Sequence, residues 1–196
     1  MEFVRDDRVL SGTLANLKQL FESVPLTDVK VPGFLVDGAV GKVFHHRLLD
    51  VYLHFENGTV VRCSSIEQYD KLRFAVVDRV TFDFEIGEDH EYAVTSIAEL
   101  CLKAPSEPRY IESMYLVTAP GISLENGVVK CAGLGIQKDD FLFLDPVNLY
   151  GIKIGKRLDY DAWLKEFAGR GDVLEELLWR HGERHLHRAR TFGGGR

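Results

Sequence analysis

An α+β fold, built on a mainly antiparallel, strongly curved sheet or partial barrel, is what three features of this sequence predict. Period-2 alternation of apolar and polar residues recurs through the middle of the chain, most clearly from Leu72 to Ile86. Two Asn-Gly pairs, Asn57-Gly58 and Asn126-Gly127, interrupt such segments, and Asn-Gly is the strongest short hairpin signal. Extended helical stripes lie near the two ends, which predicts one N-terminal helix and two C-terminal helices. A chain of 196 residues, 45% hydrophobic, can bury a core without disulfide staples, and 1–196 reads as a single domain.

The N-terminal helix runs from Thr13 to Val24. Leu14, Leu17, Phe21 and Val24 form its stripe, and Pro25 stops it. From Leu49 the odd positions Leu49, Val51, Leu53 and Phe55 are apolar, and the chain turns at Asn57-Gly58 to return through Val60 to Cys63. The run from Leu72 to Ile86 would span roughly 50 Å as one strand, longer than usual. Asp78 also falls on its apolar face, where a lone carboxylate is costly. A break near Asp78-Arg79 is therefore expected, as a bend, a bulge or two strands, the alternative being one long strand that closes a strongly curved sheet.

Ser96 to Glu99 has capping-box spacing for a short helix before Pro105. Strands follow at Tyr110–Thr118, Phe141–Leu144 and Leu149–Ile154. Tyr160, Trp163, Leu164 and Phe167 then sit at i, i+3, i+4, i+7, with Gly169 as a stop. Asp172 and Glu175 can cap a last helix burying Leu174, Leu177 and Leu178, so helices are expected over 159–190, with a mobile basic tail at 191–196. The segments Phe55–Cys63 and Leu124–Cys131 resemble each other, which suggests duplicated β units over about 45–90 and 110–155. A stable hairpin alone asks for the same residues.

Charge narrows the function. Arg180 to Arg196 holds five arginines and one glutamate, +4, so with −6 overall the rest of the chain carries −10. Such a body repels nucleic acid and anionic membrane, and neither is an expected partner. The basic end reads as packing partly back on the acidic body. No apolar run reaches about 18 residues, so no transmembrane helix is expected. The N-terminus, acidic where a secretory signal is basic, argues against export. Cys63, Cys101 and Cys131 have no framework or metal spacing. A cytoplasmic setting is the expectation.

Catalytic and metal motifs do not emerge. His181 and His185 share a helical face, but Glu183 points away from it and His187 is off it, so a solvated basic end reads better than a metal site. His45 and His46 are adjacent and would point to opposite sides of a strand, so they share no metal, and one of them is expected to pack against an aromatic ring. Glu56 and Glu125 sit at exposed turns, whereas Asp78 has the more unusual setting and most simply pairs with an arginine. Arg62 and Lys130 adjoin Cys63 and Cys131, yet neighbours on a strand face opposite ways, so buried thiols are the expectation. There is no GxSxG, Walker loop or GxGxxG after a strand. No catalytic residue, metal or cofactor is assigned.

The densest acidic cluster, Glu85 to Glu91, lacks the EF-hand pattern and reads as a solubilising loop or a docking patch. The expected function is a non-catalytic acidic protein-binding module that uses Glu85, Glu88, Asp89, Glu91 and Tyr92 to hold a basic protein. A bacterial immunity-type protein, which neutralises a toxin, fits that profile by analogy. The alternative is an enzyme or small-ligand binder with a pocket inside the curved sheet, with Asp78, His54 and Tyr52 as candidates. Homodimerisation through the C-terminal helices, anchored by Trp179, is compatible with either.

Overall fold

The computed structural model describes residues 12–103, 107–147, 151–170 and 173–192. Helix α1 (Gly12–Ser23) leads into strands β1 (Leu26–Gly38), β2 (Gly41–His46), β3 (Asp50–Phe55), β4 (Val60–Ile66), β5 (Lys71–Val77) and β6 (Glu91–Ser96). The one-turn helix α2 (Ala98–Cys101) precedes β7 (Ile111–Thr118), β8 (Val128–Val129), β9 (Cys131–Ile136), β10 (Asp140–Asp145) and β11 (Lys153–Gly155). Helix α3 (Arg157–Ala168) and strands β12 (Leu174–Arg180) and β13 (His187–Phe192) complete the order. Strands β1–β6 and β8 form a seven-stranded sheet, and β7 with β9–β13 a six-stranded one.

Helix α1 lies where its stripe predicts, burying Leu14, Leu17 and Phe21. In β3, β4 and β5 the residues Val51, Leu53, Val61, Cys63, Leu72 and Phe74 point inward. They meet Met114, Leu116, Ala132, Leu134, Leu142 and Leu144 of the second sheet in one core. The second sheet is apolar on its other face too. There Val117, Phe141, Phe143 and Leu174 pack against Tyr160, Trp163 and Leu164 of α3. The layers are therefore sheet, core, sheet, helix.

Strand β1 organises the first sheet. Lys30 pairs with both Tyr52 and Ser96, and Gly33 with both His46 and Ala93, so β2 and β3 share one edge of β1 while β6 takes the other. Pro32 is tolerated in this central strand because of where it falls. Its carbonyl accepts from Arg47 N at 2.8 Å, so its missing N–H is aimed at the junction between β2 and β3, where no ladder bond is lost.

Several sequence expectations change. No sheet is closed or strongly curled. The barrel resolves into two sheets because the chain enters the second at β7, returns to the first at β8, which pairs with β5, and re-enters the second at β9. Lys130 N donates to Val117 O at 2.7 Å at that crossing. The bridges Leu26 to Arg109 and Leu48 to Gly151 add further links between the layers. The two Asn-Gly segments also fold differently. Asn57-Gly58 closes the β3–β4 hairpin, with Thr59 N donating to Asn57 Oδ1 at 3.0 Å. Gly127 instead ends a 3-10 turn at φ +69°, where an added Cβ would lie 2.6 Å from Phe74 O.

The second C-terminal helix is absent, and its residues form β12 and β13. Leu174, Leu177 and Leu178 have helical spacing, but the same spacing arises in a strand buried on both faces. Leu174 and Glu176 face α3, while Leu177 and Trp179 face the core between the sheets. Trp179 is fully buried, with its Nε1 donating to Glu183 O at 3.1 Å, so it offers no surface anchor for a dimer. The basic end packs back as an edge strand, pairing Arg188 with Glu175 at 3.1 Å and Arg190 with Glu176 at 3.3 Å. Residues 193–196 of the expected mobile tail lie outside the described residues.

Candidate protein-binding surface

The long alternating run breaks where Asp78 makes it costly. Strand β5 ends at Val77, Asp78 and Arg79 are exposed, and residues 78–90 return as an irregular strap over the outer face of the first sheet. Two side chains of that face hold it. Tyr52 Oη lies 3.1 Å from both O and Oγ1 of Thr81, and Thr81 N donates to Oη at 3.2 Å. Arg62 donates to Asp50 through Nε at 2.8 Å and Nη2 at 2.9 Å. The same guanidinium reaches Thr81 Oγ1 at 3.3 Å and forms an ion pair with Asp83. Hydrogen bonding to Asp50 is the largest cause that raises the Arg62 pKa, against the opposing effect of burial.

Aromatic rings form a platform beside this clamp. Phe34 of β1 is stacked between His45 of β2 at 5.4 Å and His90 of the strap at 5.0 Å. Phe82 and Phe84 lie 4.8 and 5.6 Å from the ring of Tyr92, whose hydroxyl donates to Phe84 O at 2.8 Å. The Arg47 guanidinium sits 5.5 Å from the Phe34 centroid and 5.8 Å from that of Phe84, within cation–π range.

The five predicted surface residues fall on one stretch, from the strap into the start of β6. Glu85, Glu88, Asp89 and Glu91 are exposed, and Tyr92 is 47% exposed at the edge of the platform. Glu91 is engaged by Lys42 of β2, whose pKa that hydrogen bond raises. Residues missed at the sequence level are the ring partners Phe34, Phe82, Phe84 and His90, and the Asp50–Arg62 clamp, whereas His45 is the member of the His45-His46 pair that packs against an aromatic ring, as expected. Phe82 and Phe84 carried a signal, because an aromatic pair two apart continues beyond a break that should have ended the strand.

The candidates for an internal pocket do not converge. Tyr52 is committed to Thr81, Asp78 is exposed at the bend, and His54 Nε2 is buried without a hydrogen-bond partner. Burial is the main reason the His54 pKa is held below 6.5. The three free thiols are buried as well. Burial pushes Cys63 and Cys131 far up and Cys101 up to about 11, which leaves all three protonated and poor nucleophiles near neutral pH. Among the described residues no three His, Cys, Asp or Glu side chains group to hold a metal ion.

No family model, curated protein or solved structure matches this chain. Among the described residues no helix is long and apolar enough to cross a membrane.

Proposed function

We propose that this chain is a non-catalytic protein-binding module that presents Glu85, Glu88, Asp89, Glu91 and Tyr92 to a basic protein. One observation supports this best: exposed acids ride on a strap fixed from beneath by Tyr52, Arg62 and the stacked rings of Phe34 and His90. A held loop meets its partner at a smaller entropy cost than a free one, and a cluster of exposed acids beside an aromatic anchor steers association. The specific form of the proposal is an immunity-type protein, acting in the cytoplasm, that neutralises a basic toxin by covering it.

The test is affinity capture from cells of the source organism at low and moderate salt, with the wild type beside a Glu88→Lys, Asp89→Lys, Glu91→Lys triple variant. One stoichiometric basic protein is expected, weakened by salt and by charge reversal. Expressing that protein should arrest cells, and co-expressing this chain should rescue them. Capture that charge reversal leaves unaltered sinks the acidic-surface reading.

A further inference from the structure

We propose that the free edge of β6 takes up an extended basic segment of the partner as an added antiparallel strand. This rests on the acidic-surface reading above and gives it a binding mode. Among the described residues β6 pairs with β1 alone. Ile97 N donates to Val29 O at 2.8 Å, which sets the phase of the ladder. The N–H and C=O groups of residues 91, 93 and 95 therefore face β1, while those of Tyr92, Val94 and Ser96 face outward. Neither a strand nor another backbone group pairs with these three residues on that side among the described residues.

The other edges are basic or short, whereas this one is neither and carries its one charge, Glu91, at its first residue. Strand β13 carries Arg188 and Arg190, β2 carries Lys42 and two histidines, and β11 is three residues long. Charged side chains and short length are the usual defences of a sheet edge. Strand β6 has neither lysine nor proline, and it exposes Tyr92 and, at 39%, Val94.

A second feature lies directly beside it. A groove of about 630 Å³ runs under β6, lined by Val31, Phe44, Thr95, Ile97 and Ile154, with Leu100 of α2, 79% exposed, at its rim. Thr95 pairs with Val31, so both side chains share the inner face that forms the groove. A strand laid along β6 would direct alternate side chains into this space, while its other side chains meet Tyr92 and the acids of the strap. Strand addition uses these two elements together: main-chain bonds supply affinity, and pockets for alternate side chains supply selectivity. The acids at 85, 88 and 89 favour lysine or arginine on the outward positions.

The probe is a fluorescein-labelled, acetylated octapeptide of alternating lysine and valine, titrated against the full chain. Val94→Pro removes an outward N–H and breaks no bond to β1, so the native ladder survives while addition is blocked. The peptide should bind the wild type, and Val94→Pro should raise its Kd at least tenfold. Hydrogen exchange of the wild type supplies a readout independent of any variant. Binding should slow the amides of Tyr92, Val94 and Ser96 and leave those of Ala93 and Thr95 unchanged. Absence of that alternating pattern, or of any binding, overturns strand addition.

Glu88→Lys with Asp89→Lys separates this idea from the reading beneath it. If that variant loses the peptide while Val94→Pro keeps it, the acidic surface stands and strand addition falls. If Val94→Pro alone weakens binding, the edge stands and the acidic reading falls. Binding equal in all three proteins overturns both.

Discussion

The two sheets each have an outer face to cover, and the chain covers them by opposite means. Over the second sheet lies α3, whose Tyr160, Trp163 and Leu164 are buried among Phe141, Phe143, Val117 and Leu174. The polar tips there are satisfied inside the layer, with Tyr160 Oη donating to Glu176 at 2.7 Å and Trp163 Nε1 to Asp145 at 3.1 Å. Over the first sheet lies the strap, half-exposed and held by Tyr52, Arg62 and ring contacts. Buried apolar area makes a cover stable, whereas a few polar clasps make one that can keep charge and aromatic edges in water. The α3 side builds the fold, and the strap side displays a surface.

Breaking each cover at its main contact tests that contrast. Trp163→Ala should cost about 3–5 kcal/mol in denaturant unfolding, as truncation of a buried aromatic side chain does. A loss under about 1 kcal/mol there would dissolve the distinction. Arg62→Ala should cost about 2–3 kcal/mol, mostly because Asp50, 5% exposed, is left buried without its cation. Its signature should be local as well, with proteolysis at 78–90 accelerating more than in Trp163→Ala. Asp83→Asn removes the exposed end of the same network and should cost less than about 1 kcal/mol, since its side chain is 59% accessible.

What could be read from the sequence follows from how far apart the determining residues lie. Helix α1 and the Asn57-Gly58 hairpin depend on neighbours within a turn or two, and both occur where predicted. Strand β12 carries a helix-like spacing because its burial is shared between α3 and the core, and two-sided burial erases alternation. The acids from Glu85 to Glu91 were legible as an exposed cluster, since nothing apolar interrupts them except Ile86 and Gly87. The ring platform was not. It joins Phe34, His45, Phe82, Phe84, His90 and Tyr92 across β1, β2, the strap and β6, and only pairing to both edges of β1 brings them together.

The smallest expected effects are linked to pH, and they have opposite signs on the two covers. His54, on the outer face of β3 beneath the strap side, has its pKa lowered first by burial and then by Lys30, with Asp28 opposing. The unfolded chain takes up that proton near 6.5 while the folded one resists it. Stability is therefore lost as pH falls from 6.5 through the lowered value. His54→Gln should remove this slope, so the wild type should lose ground to the variant below pH 6.5. Asp145, under α3, has its pKa raised above 3.8 by burial, against hydrogen bonds from Val147 and Trp163 and the charge of Lys153. Here the folded chain holds its proton longer, so stability is gained as pH falls from the raised value toward 3.8. Asp145→Asn should abolish that gain. Unfolding curves of the wild type and both variants across roughly pH 3.5 to 7.5, which spans both reference pKa values, decide the matter. If both differences run in the same direction, the two covers do not differ in how they hold their titratable groups.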